Sequence, residues 1–230
     1  MRIERRRVTA VASAVALATG MVAVAATAEA APSTGAAVVI NEVYGGGGNS
    51  GATYRRDFIE LANVSATAVT LDGWSVQYNS TTGTGTWQKT DLTGVLPAGA
   101  SLVVGEASGT GGTVDVPADI DGVIPMGGSG GKVALVNTAT ALAACASSCS
   151  QLPQVVDFVG WGSANDFAGT AAAPATTGAT SVTRDAAHTN TASNSADFTL
   201  SNPPTPIRRS RRPAAAASSC WRRRPGPSPC

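Results

Sequence analysis

The strongest constraint on this chain is a period of two. Trp74, Val76 and Tyr78 alternate with Ser75, Gln77 and Asn79. That spacing puts three large side chains on one face of a strand. Runs of the same β type occur at 38–44, 57–61, 69–78, 86–90, 101–106, 122–124, 132–137, 155–161, 181–184 and 198–200. Clusters of Gly, Pro, Ser, Thr and Asn separate them. No stretch of the central chain sustains a helical period. Many short strands with frequent turn signals predict a sandwich or barrel. Aromatic residues make up 5% of the sequence, so the core must rest on Val, Leu and Ile, with Trp74, Trp87 and Trp161. Asp157 interrupts the apolar run 155–161 and is expected to face solvent or a hydrogen-bond network.

The ends differ from the middle. Four Arg near the start precede an Ala/Val run at 8–26, then Ala28-Glu29-Ala30 and Ala31-Pro32. A basic start, an apolar run and an A-x-A site together make a secretory signal peptide over residues 1–30. The run is only weakly apolar for a membrane anchor. The mature chain is therefore expected to be secreted and extracellular, with no transmembrane segment. Residues 31–206 carry five basic and thirteen acidic side chains, a net of −8. Such a domain repels phosphate backbones, so direct nucleic-acid binding is not expected of it. Residues 207–230 carry seven Arg, no acid, and Cys220 and Cys230. This Pro/Arg-rich stretch follows a linker, Asn202-Pro203-Pro204-Thr205-Pro206. Together, 201–230 reads as a disordered tail. It is either a frameshift product of GC-rich DNA or a genuine basic tail for an anionic surface.

Cys145 and Cys149 lie inside the domain and in an exported chain are expected to pair with each other. Their spacing is not a redox motif, and the lone His188 is too little to complete a zinc site.

The runs fall in an order: Ile-Asn-Glu-Val (40–43), a Gly loop, Asp-Phe-Ile-Glu-Leu (57–61), Leu-Asp-Gly-Trp (71–74) and Leu-Pro-Ala-Gly (96–99). Leu102-Val103-Val104, Asp-Phe-Val-Gly-Trp-Gly (157–162), Ser181-Val182-Thr183-Arg184 and Asn194-Ser195-Ala196-Asp197-Phe198 complete it. Over residues 36–200 this series resembles the lamin tail domain, and the resemblance implies an all-β, immunoglobulin-like β-sandwich. The Gly loop and the Cys-x-x-x-Cys resemble a secreted bacterial branch. In that branch the module often precedes an extracellular nuclease of the endonuclease/exonuclease/phosphatase superfamily, joined by a Pro-Thr-Pro linker. The chain departs from the pattern twice. An Asp-rich stretch is replaced by residues 188–194, and nothing resembling the nuclease follows. The resemblance thus implies a non-catalytic binding or targeting module, the N-terminal part of a truncated extracellular nuclease. The alternative is a stand-alone surface-adhesion protein. Its partner would be an extracellular or cell-envelope ligand of unidentified chemistry, and a monomer is expected.

No catalytic residues are assigned. Ser181, Asp185 and His188 could be written as a triad, but they lie close in sequence and Ser181 lacks a nucleophile-elbow context. A solvated loop is the simpler reading. Asn41, Glu42, Asp57 and Glu60 flank the first two strands, and pairing of those strands would bring carboxylates together. Such a group needs a cation, hydrogen-bond donors, or Arg55 and Arg56; the simpler reading, set against a calcium site, is that Asn41 and Glu42 satisfy loop backbone groups. Asp115, Asp119 and Asp121 offer oxygen ligands without EF-hand spacing; a solvated acidic loop is the simpler reading, a calcium site is the alternative, and no cofactor is otherwise expected. The segment 45–51 lacks the Lys and Ser/Thr of a phosphate loop and reads as a flexible hairpin connection. Asn63 and Asn79 each head a glycosylation triplet, read as accidental in a bacterial protein.

Overall fold

The computed structural model describes residues 34–145 and 147–207. The expected signal peptide, Cys220, Cys230 and the Arg-rich stretch 208–230 lie outside the described residues. The strands are β1 (Val38–Tyr44), β2 (Arg56–Asn63), β3 (Val69–Thr70), β4 (Ser75–Asn79), β5 (Gln88–Asp91) and β6 (Val95–Leu96). There follow β7 (Ser101–Ser108), β8 (Ile120–Asp121), β9 (Gly131–Val136), β10 (Val155–Trp161), β11 (Ser181–Thr183) and β12 (Thr199–Ser201). A six-stranded sheet runs β12-β11-β1-β2-β7-β8, a four-stranded sheet runs β10-β9-β4-β5, and β3 pairs with β6. All pairs are antiparallel except β7 with β8. The architecture is an immunoglobulin-like β-sandwich.

The period of two decides which side chains meet. Val38, Ile40, Val43, Ile59, Leu61, Val104 and Val182 of the larger sheet share one buried cluster with Val76, Tyr78, Val133, Leu135, Val159 and Trp161 of the smaller. Burying each such side chain stabilises by roughly 1.5–3 kcal/mol. Trp74 sits at the rim, half-buried. Both sheets are also covered outside. Trp87, Ala134, Val136, Leu142, Cys149, Val155 and Phe158 pack on the outer face of the smaller sheet. The Cys145–Cys149 disulfide closes the loop over them. Tyr44, Phe58, Val103 and Val116 pack on the outer face of the larger sheet, with Tyr54 edge-on to both rings.

Several expectations need correction. The run 69–78 is two strands, because Gly73 adopts a φ of +81° and turns the chain between β3 and β4. Residues 122–124 are not a strand; the pairing residues are Ile120 and Asp121. Of the two settings expected for Asp157, the structure has the hydrogen-bond network. Asp157 is buried against Arg184, whose Nη2 lies 3.1 Å from Oδ2, and it accepts the Ile40 and Phe158 amides. The 45–51 connection is pinned rather than flexible. Gly48, at φ +69°, donates to Tyr54 O and accepts from Gly111, and a Cβ on Gly47 would run into the Arg56 backbone. The Asn63 triplet, read as accidental, needs no correction: Asn63 is buried and bonded to the carbonyls of Thr67, Leu96 and Pro97, so it cannot carry a glycan. The ordered chain also passes the boundary drawn at residue 200: Ser201 pairs with Ser181, and the linker continues over the sheet.

Candidate functional site

A group of buried polar residues lies on the outer face of the six-stranded sheet. A β-bulge between Ile40 and Glu42 gives β1 an extra residue. Bulges re-aim side chains. This one keeps Ile40 and Val43 in the core while Asn41 and Glu42 meet polar partners. Glu42 then stands directly opposite Glu60 of β2 and Thr183 of β11. Both glutamates are almost completely buried, at 1% and 0% exposure.

Like charges directly across a strand pair destabilise it, so donors must converge on them. Ser181 Oγ donates to Glu42 Oε1. Asn41 Nδ2 donates to Glu60 Oε1 at 2.9 Å, while Asn41 Oδ1 meets His188 Nδ1 at 2.6 Å. The remaining donors come from the linker. The Thr205 amide reaches Glu42 Oε1 at 2.9 Å and the Ile207 amide reaches Glu60 Oε2 at 2.7 Å. Tyr54 Oη donates to Pro204 O at 3.4 Å, and Pro204 is buried. Residues 204–207 therefore lie across the sheet as an extended segment, held by two carboxylates. Beside them is a cavity of about 230 Å³, lined among others by Asn41, Glu42, Asp185, His188 and Thr205.

Loss of solvent raises the pKa of Glu42, with the Ser181 and Thr205 bonds opposing. Burial, aided by the charge of Glu42, pushes Glu60 up to about 7. Both carboxyls therefore keep their protons to higher pH than ordinary glutamates do.

Of the residues picked out in the sequence, the structure gathers Asn41, Glu42 and Glu60 here, with hydrogen-bond donors rather than arginines. Asp57 is elsewhere. It accepts the Gly47 and Met126 amides at 2.8 Å each, and burial pushes it to about 7. Arg55 pairs with Asp115 and Arg56 with Asp121. Asp119 accepts the Val103 amide. The three aspartates of the calcium reading thus face three different partners. Among the described residues no group of three or more His, Cys, Asp or Glu is placed to hold a metal ion. Ser181, Asp185 and His188 do not form a relay. The hydroxyl serves Glu42, His188 meets Asn41, and Asp185 caps its own turn through Thr189 and Ala187.

Two groupings escaped the sequence reading. Arg184 joins Asp157 and Asp197 at 3.1 Å each, donates to Ile40 O and Thr189 O, and stacks on Phe198. Asp157 was the available signal: a buried carboxylate needs a cation, and residues 31–206 offer only five. Lys132 is also fully buried, with no comparable signal.

With this geometry in place, comparison with known proteins is informative. The Lamin Tail Domain family model matches residues 31–163, more than half of the 230-residue chain. Among solved structures, the crystal structure of a DUF4876 family protein from Bacteroides thetaiotaomicron superposes with a TM-score of 0.50 at 14% identity. The match covers 80% of this chain and 75% of that one, and it speaks for the fold alone. The search of curated proteins gives no match. Among the described residues no helix is long and apolar enough to cross a membrane.

Proposed function

We propose, because this chain belongs to the lamin tail domain family, that it is a secreted, non-catalytic module that binds an extracellular or cell-envelope ligand and holds whatever follows it in place. The matched family is an immunoglobulin-like domain without catalytic machinery. The observation that carries the positioning role is the docked linker. A free linker would let a following segment wander. Here the amides of Thr205 and Ile207 are fixed on Glu42 and Glu60, so the chain leaves the sandwich at a set point. In the fuller version of this reading, the segment to be positioned is an extracellular nuclease, and the Arg-rich sequence after residue 207 replaces it through a frameshift.

The test has two arms. Resequencing the locus and the DNA beyond it should reveal a metal-dependent nuclease in another frame; a clean stop with no such coding potential removes the nuclease link. Binding of the purified chain to isolated cell envelopes should survive deletion of residues 208–230. Seven Arg without an acid in 207–230 favour a second reading, a surface-adhesion protein with a genuine basic tail. Binding lost with the tail would establish that reading. Hydrolysis of nucleic acid by the purified chain would refute both.

A further inference from the structure

Lys132 is the most unusual cation in the sandwich. It lies in β9, opposite Asn79 of β4 and Gly160 of β10, and its side chain is on the outer face of the smaller sheet with 0% exposure. Nζ donates to Gly83 O at 2.9 Å and to Asn165 Oδ1 at 2.7 Å. The Trp87 ring centroid stands 5.9 Å away. Neither hydrogen-bond partner is charged. Among the described residues no carboxylate lies within ion-pair distance of Nζ. A buried ammonium answered only by dipoles is costly, and at this position a carboxamide stands where a carboxylate would neutralise it.

The carboxamide is also held still. The Asn165 amide donates to Thr81 O at 2.9 Å. The next residue, Asp166, is clamped by the Cys149 amide at 2.7 Å, the Ser150 amide at 3.2 Å and Ser150 Oγ at 3.0 Å. An amine and an acyl carbon are thus fixed side by side, with the electrophilic Cγ one bond beyond the atom Nζ already touches. Fixed proximity of this kind is worth many orders of magnitude in effective concentration.

We propose that Lys132 and Asn165 are the two halves of an intramolecular isopeptide bond. Nζ, as the neutral amine, attacks Cγ of Asn165. The Nζ–Cγ bond forms, the Cγ–Nδ2 bond breaks, and one Nζ proton leaves with the departing nitrogen as ammonia. Nothing is oxidised or reduced, and no co-reactant is needed. The product is neutral, so the buried charge disappears. It keeps one N–H for Gly83 O and one carbonyl oxygen. Burial lowers the pKa of Lys132, with the field of Asp166 opposing, which favours the reactive form of the amine. The bond would tie β9 to the segment leaving β10 by side chains, across the surface closed by the Cys145–Cys149 loop.

Peptide mapping of the purified, folded full chain decides it. After reduction of the Cys145–Cys149 disulfide, trypsin should fail to cut after Lys132, leaving residues 90–184 as one peptide lighter than its sequence by one ammonia. A second digestion at Phe158 and Trp161 should release a branched pair joined at Lys132 and Asn165. Asn165→Ala should restore cleavage after Lys132. Recovery of separate peptides 90–132 and 133–184 at their sequence masses, from wild-type protein with a β-type circular dichroism spectrum, would overturn the proposal without recourse to any variant.

Discussion

Replacing Glu60 with Gln should make the variant gain stability relative to the wild type as pH rises from acid to alkaline. Burial and the neighbouring Glu42 raise Glu60 from 4.5 to about 7. The folded chain therefore holds this proton more tightly than the unfolded chain does. Below the unfolded value both forms are protonated and no penalty exists. Between the two values the unfolded chain ionises first, so stability falls as pH rises. Above the folded value the full cost is present. One pKa unit is worth about 1.4 kcal/mol, so the cost approaches about 3 kcal/mol. A carboxamide has nearly the shape of a protonated carboxyl and cannot ionise, but its NH2 cannot accept the second of the Asn41 and Ile207 donors, a loss that is the same at every pH. Urea denaturation of wild-type and Glu60→Gln protein at about pH 4 and about pH 8.5 should show the variant's relative stability improving by about 3 kcal/mol across that range. A difference that stays constant with pH, or that worsens towards alkaline pH, would refute the reasoning. Glu42 is raised in the same direction, so part of the effect belongs to the pair.

Arg184→Met should cost about 3–5 kcal/mol in equilibrium denaturation, because it strands Asp157 and Asp197 without their cation. Asn194→Ala should lose about 3 kcal/mol or more, since one carboxamide satisfies the Gly160 and Ala168 amides and the Phe158 carbonyl; size-exclusion chromatography should show concentration-dependent association as the β10 edge opens. Gly47→Ala should cost more than about 1 kcal/mol by thermal denaturation, because the new methyl meets the Arg56 backbone.

How legible the molecule was in its sequence depends on how local each signal is. Strand periodicity is local, and β1, β9 and β10 were read within a residue or two. The order of runs carried the sandwich and the family. The Glu42–Glu60 meeting was half-visible. Pairing of the first two strands could be guessed, but the bulge that aligns these two and leaves Asp57 to other partners has no mark in the residue types. The donors from Thr205 and Ile207 were hidden for a different reason. A Pro-rich stretch looks like a linker whether or not it lies on a sheet, and the docking depends on contacts some 150 residues distant in sequence. Lys132 was invisible because a lysine in a period-two strand is ordinarily a solvent-facing residue. The segments carrying Gly83, Trp87 and Asn165 meet over it.

The edges of the smaller sheet narrow where a ligand can attach. An exposed edge strand invites another strand to pair with it. The β10 edge is closed to this. Asn194 takes the Gly160 amide at 2.9 Å and the Phe158 carbonyl at 2.8 Å, as a neighbouring backbone would. Ala173 continues the mimicry by donating to Gly160 O and accepting from Gly162. The opposite edge, β5, is short and carries Lys89 paired with Asp91, a charged edge of the kind that discourages pairing. Both flanks of this sheet thus disfavour recognition by strand addition. Its outer face is occupied by the disulfide loop. Under the proposed binding role, the ligand is therefore best sought on the six-stranded sheet, around the cavity beside Glu42 and His188 where the linker also lies.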